Sequence, residues 1–159
     1  MKRHAIHWAG RNGRIEVLDW LIDEISIDPD IGTEDGTTAL HFACYNGQLF
    51  TCKHLIEKCR SNKKIDINKL NSYGCNASQW LALRGDVESM KYFLSEGLDY
   101  HILNNNGHSA LHKAAIKGNT KACEWLITSI EDGGAGLGLK HMQPDDDNFT
   151  PMLVRNQCL

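Results

Sequence analysis

The stretch Thr38-Ala39-Leu40-His41-Phe42-Ala43-Cys44-Tyr45-Asn46-Gly47 decides the fold, because it returns along the chain. Copies run from His4 to Gly13 (HAIHWAGRNG), from Asn76 to Gly85 (NASQWLALRG) and from Ser109 to Gly118 (SALHKAAIKG), and a fifth opens at Thr150-Pro151-Met152 and stops at Leu159. The closing glycines recur at intervals of 33 to 38 residues. Self-similarity at such a period marks an architecture in which one small unit hides its apolar face only against its neighbours. The expected organisation is a single domain over residues 1–159, with units at about 1–32, 33–70, 71–103 and 104–144 and a partial fifth at 145–159.

Each unit reads as two helices. Thr38, Ser109 and Thr150 are suited to receive a first-turn N–H as N-caps, and Pro151 stands where a missing N–H costs nothing. The first helix is short, with Leu40, Ala43 and Cys44 on the buried side and Leu111, Ala114 and Ala115 as their counterparts. Gly13, Gly47, Gly85 and Gly118 fall where a left-handed helix end is wanted. The second helix carries the apolar stripe: Val17, Leu18, Leu21 and Ile22, then Cys52, Leu55, Ile56 and Cys59, then Met90, Phe93 and Leu94, then Cys123, Leu126 and Ile127. Units are joined by polar turns at Glu34-Asp35-Gly36, Ser72-Tyr73-Gly74 and Asn105-Asn106-Gly107, with Asp147-Asn148 in the same place before the fifth.

Composition excludes several classes. The 159 residues are 42% hydrophobic and 23% charged, which is ordinary for a chain that folds in water. A net charge of −3 gives no global basic field to draw the chain onto nucleic acid or anionic lipid. No apolar run approaches the roughly 20 residues that cross a bilayer, and the start at Met1-Lys2-Arg3-His4 lacks the apolar stretch of a signal peptide. The six cysteines sit without Cys-x-x-Cys spacing, four of them in helix-like apolar surroundings, and read as reduced thiols. The expected setting is cytoplasmic, the nucleus being the alternative.

Helix–turn–helix–β-turn units of this length with a Thr-Pro-Leu-His-x-Ala signature resemble ankyrin repeats. The resemblance covers His4 to Leu159 and rests on His4-Ala5-Ile6-His7-x-Ala9, Thr38-Ala39-Leu40-His41-x-Ala43, Ser109-Ala110-Leu111-His112-x-Ala114 and Thr150-Pro151-Met152. The third unit departs from it, with Asn76, Ser78 and Gln79 in place of Thr, Leu and His and Leu81 in place of alanine. The resemblance implies an all-α solenoid and a non-catalytic module that holds a protein partner on its concave face. It implies a structural role for His7, His41 and His112, each bonding locally and to the backbone of the next unit. Carried over position by position, the partner-facing residues are Arg11 and Asn12 in unit one and Glu34, Asp35, Thr37, Tyr45 and Asn46 in unit two. Unit three contributes Ser72, Tyr73, Cys75, Leu83 and Arg84, and unit four Asn105, Asn106, His108, Ile116 and Lys117. Tyr45, Tyr73 and Arg84 are the residue types that most often anchor interfaces.

Other candidates carry less chemistry. His108 and His112 are four apart and Cys123 follows, but no further metal ligands join them. The run Gly133-Gly134-Ala135-Gly136-Leu137-Gly138-Leu139-Lys140 lacks the Gly-Lys-Ser/Thr of a phosphate loop and follows a helix rather than a strand, so it reads as a flexible linker. No cofactor, metal or catalytic residue is expected. Trp20, His54, Tyr92 and Trp125 form a column on the second helices, read as a half-buried ladder, with an exposed partner stripe as the alternative. Two insertions lengthen loops: Lys58 to Lys64, with the basic residues Lys58, Arg60, Lys63 and Lys64, and Glu131 to Asp147, with an acidic end. The first unit starts at its capping segment and the last stops inside a helix, which suggests part of a longer ankyrin protein; a spacer or scaffold segment of such a chain is the alternative function.

Overall fold

The computed structural model describes residues 2–61 and 65–151. Lys63 and Lys64 of the basic insertion, and Met152–Leu159 of the fifth copy, lie outside the described residues. The regular structure among the described residues is helical, without a strand, and the helices come in pairs: α1 (Ala5–Arg11) with α2 (Ile15–Asp19), α3 (Ala39–Tyr45) with α4 (Leu49–Ser61), α5 (Ala77–Arg84) with α6 (Val87–Ser95), and α7 (Ala110–Ile116) with α8 (Thr120–Ile127). Helix α2 continues into a π-helical turn, Trp20–Glu24, and a 3₁₀ turn, Leu139–Met142, follows α8. The first helices stack in order, α1 on α3, α3 on α5 and α5 on α7. The chain is an all-α ankyrin-repeat solenoid.

Local chemistry starts each pair. Thr38 Oγ1 receives the His41 N–H at 3.5 Å, while His41 Nδ1 receives the Thr38 N–H at 3.2 Å. Ser109 and His112 repeat the exchange. The reciprocal pattern is that of a capping box, with histidine in the role usually played by Glu or Gln. In the irregular third unit Asn76 Oδ1 receives the Ser78 N–H at 3.0 Å, so the cap survives through an amide. Each first helix ends on a left-handed glycine: φ is +69° at Gly47 and +80° at Gly85. A Cβ on Gly85 would lie 2.4 Å from the Asn119 amide, whose Nδ2 donates to the Ala82 and Leu83 carbonyls and so closes the end of α5 from the next unit.

Backbone bonds shape the turns and link the units. The Thr33, Asn71, Asn104 and Asp145 amides each donate to the carbonyl four residues on, at Thr37, Cys75, His108 and Phe149. Neighbouring turns are then bonded to each other: Ser72 N to Asp35 O at 2.8 Å, Asn105 N to Tyr73 O at 3.0 Å, and Asp146 N to Asn106 O at 3.2 Å. Asn148 takes φ +63° in the last turn, where the other turns use glycine.

Packing supplies the rest. One buried cluster runs through units two to four and includes Leu40, Cys44, Cys52, Leu81, Met90, Phe93, Leu111 and Leu126. A smaller one joins unit one to unit two through Ile6, Leu18, Leu21, Ile22, Ala39 and Leu55. Full burial of a Leu or Phe side chain stabilises by about 1.5–3 kcal/mol, and no single pair has enough such residues to stand alone. Small residues let the inner helices approach: a Cβ on Gly10 would sit 2.8 Å from the Ala39 carbonyl oxygen.

Three sequence expectations need correction. The segment after α8 is not a flexible linker. It folds back on α8, with Ala135 N donating to Trp125 O at 3.0 Å and Leu137 N to Leu126 O at 2.8 Å, and Ala135 and Leu137 are buried. At Gly134 the backbone passes so close that a Cβ would lie 2.2 Å from Thr128 O. Lys58 is likewise helical rather than the start of a loop, and its ammonium meets Asp19 at 2.8 Å and Asp23 at 2.6 Å. The second-helix column is not uniform: Trp125 is buried and donates to Gly133 O at 3.0 Å, His54 pairs with Asp19 at 2.7 Å, Lys53 lies over the Tyr92 ring, and Trp20 is 54% exposed.

Candidate protein-binding face

The signature histidines brace one unit against the next. His7 Nε2 lies 2.9 Å from the Ile31 carbonyl and His41 Nε2 lies 3.3 Å from the Cys75 carbonyl, while each Nδ1 is held by its own helix cap. His112 keeps the cap through Nδ1, but its buried Nε2 makes no hydrogen bond of ordinary geometry among the described residues. Burial pushes all three down, His41 to about 4, against weaker upward pulls such as the Ile31 and Cys75 carbonyls. A buried imidazole held at both nitrogens, as at His7 and His41, cannot serve as an accessible base, and at His112 burial alone closes off the free nitrogen. In the third unit Gln79 occupies this place, its Nε2 3.4 Å from Ile102 O.

The residue after each signature histidine, and after Gln79 in unit three, falls in one column on the first helices. This column, Trp8, Phe42, Trp80 and Lys113, was missed in the sequence, although aligning the copies displays it. Arg3 and Arg11 lie over Trp8 at 5.2 and 5.5 Å, His7 packs edge-on to Phe42, and His41 and Tyr45 pack edge-on to Trp80 at 6.3 and 5.4 Å. In unit four the aromatic is replaced by Lys113, whose Nζ donates to His108 Nδ1 at 2.9 Å. His108 Nε2 in turn meets Asp145 Oδ2 at 2.7 Å. Burial pushes the Lys113 pKa down. Burial alone would raise Asp145, but the Phe149 amide, His108 and the Asp147 amide outweigh it and hold the carboxyl below its ordinary value.

Two adjoining depressions gather several of the sequence candidates, among them Tyr45, Tyr73 and Arg84. Tyr73, Leu83 and Asn106 line a cavity of about 230 Å³ together with Trp80, Cys75, Gln79 and Lys113. Leu83 is shared with a wider depression of about 530 Å³, lined also by Tyr45, Asn46, Arg84, Asp86 and Lys117. Tyr45 and Tyr73 are 43% and 57% exposed, large rings left open to solvent. His108 stands behind Lys113, and Ile116 lines neither depression.

Other candidates are engaged in holding the fold. Asn12 and Asn46 each donate Nδ2 to the carbonyl four residues back, at Trp8 and Phe42. Burial would raise the Asp35 carboxyl, but bonds from the Thr33 hydroxyl and from Thr37 hold it below its usual range and keep it in its own turn. Arg11 and Glu34 line neither depression. Thr37 and Cys75 are largely buried: Thr37 Oγ1 accepts from Asn71, and the Cys75 thiol, in the wall of the smaller cavity, faces Gln79 Oε1 at 3.0 Å. Among the described residues no group of His, Cys, Asp and Glu is arranged to hold a metal, and no helix is long and apolar enough to cross a membrane.

Comparison with known proteins agrees with the geometry. A family model for ankyrin repeats in three copies matches residues 1–71 and 61–140. A probable 26S proteasome regulatory subunit, p28, of Saccharomyces cerevisiae is 25% identical over 94% of this chain and 62% of its own length. The palmitoyltransferase AKR1 of Lachancea kluyveri is 24% identical over 80% of this chain, and the Drosophila melanogaster tyrosine-protein kinase Shark is 30% identical over 62% of it. The matches span only 17% and 10% of those two proteins. Ankyrin repeats in general mediate contacts between proteins, and here they recur inside larger polypeptides with differing activities. The chain belongs to the ankyrin-repeat family.

Proposed function

We propose that this chain is a non-catalytic protein-binding module that seats its partner on the concave face, across the two depressions that meet at Leu83. The observation that carries this is the convergence of Tyr45, Tyr73, Leu83 and Arg84 around one continuous surface of units two to four. Exposed aromatic rings beside a guanidinium and an aliphatic wall are what interface centres are made of. The histidines do not argue for catalysis, being buried and held by the fold. The four units and the opening fifth act as one binding domain, supported by the core that runs unbroken from unit two to unit four. Buried thiols at Cys44, Cys52 and Cys75 suit a reducing cytoplasmic or nuclear setting.

The test is affinity capture from lysate with the wild-type chain and a Tyr45→Ala/Arg84→Ala variant, read by mass spectrometry. A partner retained by the first and lost by the second, with equal helical circular dichroism, is expected. Equal recovery would move recognition to another surface. The second reading, a spacer within a longer polypeptide, is favoured by the small share of AKR1 and Shark that the matches cover, and predicts no partner dependent on these side chains.

A further inference from the structure

We infer that the paired depressions select an acidic segment of the partner protein, one carboxylate entering the Lys113 cavity and another facing Arg84 and Lys117. The inference rests on the proposed binding face and specifies what that face recognises.

The walls of the smaller cavity are asymmetric in hydrogen-bonding capacity. Three of its side-chain amide oxygens are already engaged. Asn71 Oδ1 receives the Tyr73 and Cys75 amides, Asn104 Oδ1 receives the Asn106 and His108 amides, and Gln79 Oε1 receives the Cys75 thiol. Donors remain. Lys113 gives one proton to His108 Nδ1 and keeps two. The Trp80 indole N–H is buried without a partner among the described residues. Tethering Lys113 to His108, which is itself anchored on Asp145, fixes the ammonium in place before any ligand arrives. An ammonium losing water to its surroundings gains most from a full negative charge.

Beyond Leu83 the bias continues. Arg84 and Lys117 line the wider depression and form no ion pair among the described residues. The single carboxylate on that wall, Asp86, accepts the Ser89 hydroxyl at 2.5 Å. Asp145 has both oxygens engaged, by His108 and by the Asp147 and Phe149 amides. In a chain of net charge −3, Lys113, Arg84 and Lys117 thus bring three cations to this one groove. Leu83, Tyr45 and Tyr73 between the cations suit an apolar side chain flanked by acids. Nucleic acid fits less well, because a phosphate backbone following the turns would meet Glu34, Asp146 and Asp147, all exposed.

The test is selection of random peptides displayed on phage against the intact chain, followed by titration of the chosen peptides and of their Asn/Gln counterparts. Enrichment in Asp and Glu around an apolar residue is expected, with about tenfold weaker binding for the neutral counterparts and for Lys113→Met, and recovery in Lys113→Arg. Arg84→Gln/Lys117→Gln should weaken binding similarly while leaving the helical signal intact. Binding that depends on Tyr45 and Leu83 but ignores peptide charge would overturn the inference and leave the binding face standing. Peptides unaffected by any of these substitutions would overturn both. Tighter binding of single-stranded RNA than of acidic peptides, or no acidic peptide selected at all, would also refute it.

Discussion

Asp145 Oδ2 lies 2.7 Å from His108 Nε2, joining the turn before the fifth copy to the turn before α7. The same carboxylate receives the Asp147 and Phe149 amides, so one side chain both shapes its own turn and holds the neighbouring one. Asp145→Asn keeps an acceptor for the two amides but loses the charge that faces His108. A loss of about 1 kcal/mol in unfolding free energy is expected, read by chemical denaturation at neutral pH. No change would mean that the backbone bond from Asp146 to Asn106 suffices by itself to dock the turn.

The buried histidines make stability fall with acid. His41 titrates at about 4 in the fold against 6.5 when free, so the unfolded chain takes up a proton first as pH drops. The stabilisation is fully present above 6.5 and is lost progressively towards pH 4, a difference of roughly 3 kcal/mol for this residue. His7, His112 and His141 are shifted in the same direction by burial. Gln79 shows that an amide can fill the position. His41→Gln should therefore flatten the profile between pH 6.5 and 4 while changing stability at pH 7 by only about 1 kcal/mol. A profile as steep as wild type would place the acid sensitivity elsewhere.

The glycine-rich segment offers a sharp contrast. A Cβ at Gly134 would collide with the Thr128 carbonyl, whereas one at Gly138 meets nothing within 4 Å. Gly134→Ala should cost about 2 kcal/mol or more, and Gly138→Ala should be close to neutral. Thermal unfolding of the two variants decides between a packed segment and a loose one, since a loose one would tolerate both equally.

How far the sequence reveals the molecule follows from the range of each interaction. The repeat, the helix pairs, the caps at Thr38 and Ser109 and the left-handed glycines depend on neighbours within a few residues, and all are legible from the periodic pattern. The fold-back of residues 133–137 onto α8 was not, because glycine reports only permissiveness and not what the backbone will approach. Thr37 and Cys75 misled for a related reason: a turn position is exposed by default, but the Asn71 amide and Gln79 draw these side chains inward. Trp80 and Lys113 were hidden by their place inside the signature, where attention goes to the adjacent histidine. The pairing of Lys113 with His108 needs the turn and the helix start brought together, which no local pattern states.

Hydrogen exchange of the chain alone and with its captured partner tests the binding face most directly. Slowed exchange confined to Tyr45–Gly47, Tyr73–Cys75, Leu83–Gly85 and Lys113–Lys117 is expected, with α4, α6 and α8 unaffected. Protection centred on those second helices and on exposed Trp20, with no change around Leu83, would contradict it.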